Sequence, residues 1–452
     1  MNYSRTITTN VLVGVLASAT IPGLAQASGF AVTTQNASGL GNAYAGAAAH
    51  AMDASTVFWN PAGMMQLERD MMSISGHYLK PTSEFKNDGS TSAESLGSTP
   101  LQGENNDGGF DSFVPNFYWV TSVDPNTKFG LAFTVPFGSA TKYDDTWVGR
   151  YHGVSSELRT FLINPSLAYR INDKLTVGAG IDMIIGEIEF TSAVDFGAIC
   201  AAQGLSSASC SPQDTDGFTV LDGDNYSKPG FGFNIGLQYN IQPETVLGVS
   251  YRSEVDLDFE GKADFSVPSG AAFVTAAGLF NDGDISSSVT APASLLFSFA
   301  HQVDKVTYLA DITWTGWSTF QELRILYDNA AQPDSVTTEE WNDTFRYSVG
   351  LDYQYSKDLV LRTGVALDET AIPNKTRRTA RLSGNDRTWV AFGGTYFWDE
   401  NLTIDFGYTH LFLDDAKIEN TFESSVPTLA ATLEGEFEAS VDILSVQLNW
   451  NF

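Results

Sequence analysis

Polar and apolar residues alternate strictly over several stretches of this chain. Residues 443–452 read ILSVQLNWNF, and the same alternation recurs at 161–169, 231–241 and 345–355. In the last stretch the apolar positions are Leu444, Val446, Leu448, Trp450 and Phe452. A period of two is the pattern of a β-strand whose two faces meet different surroundings. Runs of about ten residues with one apolar face are typical of strands that cross a membrane in a barrel.

Two kinds of connection separate these stretches. Short turn signals occur at 124–126, 172–174, 242–244, 303–305, 356–358 and 399–401. Longer polar stretches lie near 80–112, 138–157, 191–229, 262–288, 328–343, 369–386 and 415–437. Six turns and seven loops predict an all-β fold, a 14-stranded antiparallel transmembrane β-barrel with both ends on the side of the short turns. Short periplasmic turns and long outer loops are the bacterial outer-membrane arrangement.

The first residues have the features of an export signal. Arg5 precedes a short apolar run, Val11 to Ala19, and Ala25-Gln26-Ala27 supplies small residues at the cleavage positions. We therefore expect residues 1–27 to be a secretory signal peptide, because the apolar run is too short to span a bilayer. Export and the barrel pattern place the protein in the outer membrane of a Gram-negative bacterium.

Residues 28–69 do not alternate. They are rich in Ala and Gly, and before Glu68 their only formal charge is Asp53. An exposed linker would be more polar. Since fourteen strands enclose more space than their own side chains fill, the segment is predicted to be a plug, or hatch, inside a barrel formed by residues 70–452.

Several motifs in this order make the sequence resemble the FadL family, the long-chain fatty acid transporters of Gram-negative outer membranes. The motifs are Gly29-Phe30, SGLGNAYAG at 38–46, WNPAG at 59–63, VPFG at 135–138, WVGRY at 147–151, INPS at 163–166, ITWTGWS at 312–318, DRTW at 386–389 and GYTHLF at 407–412. Together they cover essentially all of the chain after the signal peptide.

The resemblance implies roles for particular residues. Phe30 corresponds to the N-terminal residue of a binding pocket, and Asn60, Pro61 and Ala62 to the hatch motif. Val135, Pro136, Phe137 and Gly138 correspond to a kink in the third strand that opens the barrel wall sideways. The residue types at these positions also favour a kink, because Pro136 cannot donate a hydrogen bond to a neighbouring strand and Gly138 relaxes the backbone. The alternative is an ordinary strand end with a proline at an edge.

The family's function implies a passive channel for hydrophobic compounds, most of all long-chain fatty acids. Cargo would be caught between the third and fourth outer loops, where the aromatic candidates are Phe196, Phe218, Phe273 and Phe280. Packing of the two loops against each other is the alternative role of these side chains. Aromatic hydrocarbons, carried by relatives in the same family, are the alternative cargo. An outer-membrane lipase or esterase is the alternative class.

The formal net charge of −30 argues against nucleic acid as a partner. The five histidines are scattered without metal-ligand spacing, so we expect no metal, no cofactor and no enzyme activity. Acidic outer loops are usually plain solvated surface, although they could share divalent cations with lipopolysaccharide. The lipid and lipopolysaccharide of the outer membrane are expected partners, and the terminal Phe452 resembles the signal read by the barrel-assembly machinery.

Two further pairs of residues carry predictions. Arg346 and Arg362 fall on the polar face of adjacent strands near Asp352, where they could hold a carboxylate head group or form a structural ion-pair network. Cys200 and Cys210 lie in one exported loop, so we expect a disulfide. Two free thiols are the alternative.

Overall fold

The computed structural model describes residues 29–452, and the predicted signal peptide lies outside them. One sheet of fourteen antiparallel strands closes on itself, because the first strand pairs with both the second and the last. The strands are β1 Met71–Asn87, β2 Ser112–Asp124, β3 Thr127–Thr134 and Gly138–Lys142, β4 Ser155–Arg170, β5 Leu175–Asp195, β6 Asp216–Asp224 and Gly230–Gln242, β7 Thr245–Arg252 and Val255–Ser266, β8 Gly283–Ala291 and Ser294–Val303, β9 Val306–Thr315 and Glu322–Tyr327, β10 Ser335–Thr338 and Thr344–Ser356, β11 Leu359–Asp368, β12 Arg387–Phe397, β13 Leu402–Leu413 and Ala416–Thr421, and β14 Thr432–Asn451.

The two faces of the strands follow the sequence pattern. In β14, Leu444, Val446, Leu448 and Trp450 are exposed, whereas Ser445, Gln447 and Asn449 are almost fully buried. The apolar row therefore faces lipid and the polar row faces the lumen. The prediction of a 14-stranded antiparallel barrel is confirmed.

The outer ends of the strands differ from the expectation. Several strands continue into stretches that read as loops, among them Asp216–Asp224 and Val255–Ser266. The backbone hydrogen bonds that join β6 to β7 continue through these stretches, from Glu260 to Ser266 on β7. Charged side chains of these stretches point outward. The outer loops are consequently shorter, and they span 88–111, 143–154, 196–215, 267–282, 328–334, 369–386 and 422–431.

Short helices occur in the segment before β1 and in the outer region. They are α1 Ala37–Leu40, α2 Thr56–Trp59, α3 Phe196–Ala202 and α4 Phe273–Ala276, with 3-10 turns at Pro61–Gln66, Glu94–Leu96, Ser269–Ala271, Trp317–Thr319 and Pro427–Leu429. Within residues 29–452, none of the helices has the length and apolar character required to cross a bilayer.

Residues 29–69 pack against residues of the barrel strands, and we call this segment the hatch. Most of their side chains are buried, including the acidic residue Asp53, which accepts hydrogen bonds from Asn36, Ser38 and the backbone of Ser55. The hatch packs closely on lumen-facing glycines. A Cβ atom at Gly178 would lie 2.5 Å from the Ala62 backbone nitrogen.

Candidate functional site

The Asn-Pro-Ala stretch anchors the hatch to the barrel. The Asn60 side chain caps the 3-10 turn by accepting from the Ala62 backbone at 3.0 Å. It also donates to the carbonyl oxygens of Ala48 at 2.8 Å and Leu237 at 3.1 Å. Breaking the hydrogen bonds of a buried side-chain amide, when both its oxygen and its nitrogen have partners, costs considerable free energy. The motif therefore fixes the base of the hatch rather than facing open space.

Arg362 lies in a buried ion-pair network between hatch and barrel. Its guanidinium is 3.2 Å from the Asp352 carboxylate and 3.4 Å from Asp405. Asn42 of the hatch donates to Asp352 at 3.1 Å. These contacts favour the structural alternative for Arg362.

Arg346 also binds the hatch. Its guanidinium donates to the Ala43 carbonyl oxygen at 2.6 Å and lies 4.9 Å from the centre of the Trp389 ring. Arg346 and Arg362 are both absent from the lining of the large cavity described below. Their location does not support the predicted role as head-group contacts.

The wall of the barrel is interrupted between β2 and β3. Residues 112–116 of β2 pair with β1, but the pairing of β2 with β3 begins only at Phe117. β3 breaks at Val135–Phe137, and three residues there oppose two on β4. Pro115 lies on the unpaired edge of β2, so each edge of the gap carries a proline. A proline within a strand, such as Pro115, is a sequence signal for an unpaired edge.

The start of the hatch covers this interruption. The Val32 backbone donates to the Pro136 carbonyl oxygen at 2.9 Å, and Gly138 donates to the Phe30 carbonyl oxygen at 2.8 Å. Gln35 donates through its side chain to the Val135 carbonyl oxygen at 3.0 Å. The irregular stretch of β3 is thus hydrogen-bonded to the hatch instead of to β2.

Phe30 lies in an aromatic cluster at the same place. Its ring centre is 4.6 Å from Trp317, 5.5 Å from Phe320, 5.8 Å from Trp341 and 6.0 Å from Phe137. Edge-to-face pairs at such distances are favourable beyond the area that they bury. Trp317 belongs to a stretch that carries the family resemblance, but its contact with Phe30 joins residues too far apart in the chain to be read from the sequence.

One cavity of about 370 Å³ connects the outer loops with this cluster. Most of its lining is apolar. From the loops inward it includes Leu429, Val426, Leu279, Phe280, Phe265, Phe190, Ile188, Leu257, Phe259, Leu158, Phe320, Phe137 and Phe30. The inner end of the cavity therefore lies beside the gap in the wall.

The four loop phenylalanines have different surroundings. Phe280 lines the cavity, whereas Phe196 is fully buried against it with ring centres 5.1 Å apart. Phe273 packs against the same cluster of the third and fourth loops. Phe218 packs against a separate cluster. Only Phe280 among the four reaches the cavity. Phe196 and Phe273 pack within the cluster of the third and fourth loops, and Phe218 lies on β6 rather than in the predicted third loop.

Cys200 and Cys210 form a disulfide within the third loop. Both sulfurs belong to the buried cluster that contains Phe196 and Phe280. Residues 29–452 contain no group of three or more His, Cys, Asp or Glu side chains placed to hold a metal ion.

Residues 18–452 match the family described as outer membrane protein transport protein (OMPP1/FadL/TodX). Outer membrane protein P1 of Haemophilus influenzae is 28% identical over 453 residues, which cover 95% of this chain and 96% of that protein. The long-chain fatty acid transport protein of Escherichia coli O6:H1 is 27% identical over 410 residues, which cover 88% and 89%.

Solved structures share the fold. A FadL homologue of Pseudomonas aeruginosa superposes with a TM-score of 0.84 at 22% identity, covering 94% of this chain and 99% of that one. The toluene transporter TodX of Pseudomonas putida superposes with a TM-score of 0.65 at 20% identity, with the same coverage.

This fold and these matches define an outer-membrane transport barrel. The chain belongs to the OMPP1/FadL/TodX family of outer membrane transport proteins. It is an outer-membrane channel for hydrophobic substrates, and members of its family are transport channels rather than enzymes.

Proposed function

We propose that this channel takes up long-chain fatty acids, which enter from the outer loops, bind in the lumen and leave sideways between β2 and β3. The observation that carries the proposal is the apolar cavity that runs from Leu429 and Phe280 in the loops to Phe30 and Phe137 beside the gap. Long-chain fatty acid transport is the function named for the Escherichia coli relative.

The physical reason for such a route is the cost of hydrating an alkyl chain. Each methylene moved from apolar surroundings into water costs about 0.8 kcal/mol, so a chain of about sixteen carbons would lose on the order of 10 kcal/mol in a water-filled pore. A cavity lined by phenylalanine, leucine and isoleucine side chains avoids most of that cost. The cargo moves down its gradient without an energy source.

Movement of the hatch links binding to exit. Phe30 lines the inner end of the cavity and its backbone is bonded to Gly138. A cargo chain that displaces the Phe30 ring also disturbs the two backbone hydrogen bonds that cover the gap. The cargo then reaches the membrane through the wall. Contacts with lipopolysaccharide, and recognition of Phe452 by the assembly machinery, stay predictions.

The test compares two tryptophan variants on β5. Ile188 lines the cavity, whereas Ile181 on the same strand points to lipid with 60% of its surface exposed. The variant Ile188→Trp should fill part of the cavity and reduce oleate binding and uptake, while Ile181→Trp should leave both unchanged. Equal uptake by the two variants would contradict transport through this cavity. Mass spectrometry of co-purified lipids identifies the cargo, and aromatic hydrocarbons in place of fatty acids would favour the alternative substrate.

A further inference from the structure

The start of the hatch is clasped by two indole rings. Gly29 packs so closely on Trp317 and Trp341 that a Cβ atom at Gly29 would lie 2.6 Å from a ring carbon of each. The φ angle of Gly29 is +61°, a backbone conformation that favours glycine. Both indole rings also contact the Phe30 ring. The two tryptophans therefore hold the part of the hatch that covers the gap in the wall.

The indole N–H groups of these two tryptophans differ in their surroundings. Nε1 of Trp341 donates to a carboxyl oxygen of Glu339 at 2.9 Å. Nε1 of Trp317 is buried and has no hydrogen-bond partner among residues 29–452. A buried indole N–H that has a partner loses stability when the partner is removed. The ring of Trp341 is therefore fixed by Glu339, whereas the ring of Trp317 is held by packing.

A tightly bonded turn presents Glu339 and Trp341 inward. The backbone N–H groups of Glu339 and Glu340 both donate to the Gln321 carbonyl oxygen, at 2.9 and 3.0 Å. The φ angle of Glu340 is 52°, which is strained for a residue with a side chain. The exposed carboxylate of Glu340 pairs with Arg377 at 2.7 Å. Strained backbone persists only where the surrounding contacts hold it, so these bonds fix Glu339 and Trp341 as one buried unit.

Glu339 is the member of this unit that meets the cavity. Its side chain lines the cavity, whereas Trp341 and Trp317 are not part of the lining. Because the Trp341 ring centre is 5.8 Å from that of Phe30, this part of the lining belongs to the inner end of the cavity. Burial raises the pKa of Glu339 to about 8, so its carboxyl is mostly protonated at neutral pH and can lie beside an apolar chain. A cargo chain that fills the inner end contacts Glu339 before it contacts Trp341.

We propose that Glu339 is a positioning residue of the channel, which holds Trp341 against Gly29 and Phe30 until cargo displaces it. The inference rests on the function proposed above and names the contact that couples filling of the cavity to opening of the wall. Release of the clasp uses part of the free energy of cargo binding, so a weaker clasp should allow tighter binding. Loss of a group that only contacts cargo would instead weaken binding.

The experiment removes the N–H of each indole in turn while keeping an aromatic ring. Equilibrium binding of oleate is measured on the detergent-purified full-length protein. Trp341→Phe should bind oleate about fivefold more tightly than the wild type, because a buried hydrogen bond that opposes binding is lost. Trp317→Phe is the matched control and should leave oleate affinity unchanged, since no described residue accepts from its N–H. Neither side chain lines the cavity, so a difference between the two variants does not come from contact with cargo.

Two variants of Glu339 test the other side of the hydrogen bond. Glu339→Gln keeps an oxygen that accepts from Trp341, so it should bind oleate as the wild type does. Glu339→Leu removes the acceptor and should raise oleate affinity as Trp341→Phe does. Combining Glu339→Leu with Trp341→Phe should add little to either change, because both remove the same hydrogen bond. Assembly of each variant is checked by the mobility of unheated protein on gels.

The outcomes separate the two proposals. Unchanged or weaker oleate binding in Trp341→Phe, or an equal change in Trp317→Phe, would overturn the role of Glu339 while the wild type still binds oleate. Where Trp341→Phe does not assemble, the comparison of Glu339→Leu with Glu339→Gln decides in its place, and equal affinities of those two variants would overturn the role. A wild type that does not bind oleate would contradict the proposed function itself.

Discussion

Deleting Pro136 should close the side wall of the barrel. Three residues of β3, Val135 to Phe137, oppose two residues of β4, so removing one restores the register on that side. In the wild type, the edge of residues 112–116 of β2 that faces β3 is unpaired. The same deletion lets the outer part of β3 run alongside this edge. Phe137 keeps its inward position, because the outer segment of β3 does not shift relative to β4.

The expected free-energy change follows from the numbers of hydrogen bonds that are gained and lost when the wall closes. Closure adds about four ladder bonds, since Pro115 lacks a donor, at about 1 kcal/mol each. It removes the two bonds that join the hatch to Pro136 and Gly138, about 2 kcal/mol. The difference of about 2 kcal/mol corresponds to roughly thirtyfold in favour of the closed wall. Uptake of oleate should fall by a similar factor.

The assay measures uptake of labelled oleate by cells that lack another fatty acid channel. The matched control is Pro136→Ala, which keeps three residues opposite two and should transport nearly as well as the wild type. Oleate binding should persist in both variants, because the cavity lining is retained. Wild-type uptake by an assembled deletion variant would refute lateral exit and indicate passage straight through the lumen.

Three further predictions concern the hatch and the loops. Phe30→Ala removes a ring that packs against four others, which costs about 3 kcal/mol of packing free energy. The Val32 amide should then exchange hydrogen at least tenfold faster. Unchanged protection of this amide would contradict the idea that the Phe30 ring holds the start of the hatch on β3. Cys200 and Cys210 should resist alkylation until a reductant is added, and immediate labelling of native protein would exclude the disulfide. Burial lowers the pKa of His152 to about 4 from an ordinary 6.5. As the pH falls, His152 is therefore protonated at a higher pH when the second loop is open than when the loop is packed. Packing of that loop should be fully stable above pH 6.5 and lose up to about 3 kcal/mol as pH falls toward 4, measured by proteolysis. His152→Gln should remove this pH dependence, and an unchanged dependence in that variant would exclude His152 as its cause.

The sequence by itself determined the membrane-spanning parts of the strands, their two faces and the place where the wall is irregular. Alternation, turn residues and a proline such as Pro136 act on neighbouring residues, so they can be read without knowing the fold. The small, nearly uncharged residues of 28–69 indicated a segment enclosed by the barrel, and Phe30 was expected at a binding pocket. The cavity does reach Phe30.

Only the tertiary structure decided which polar residues line the cavity. Arg346 and Arg362 lie on the strand face that points into the lumen, but residues of the hatch occupy the lumen beside them. Arg381 comes from a loop, and its bonds to Ser155 and Ser156 join residues more than two hundred positions apart. No local pattern encodes such a contact, because it depends on how far each loop folds into the barrel and what it meets there.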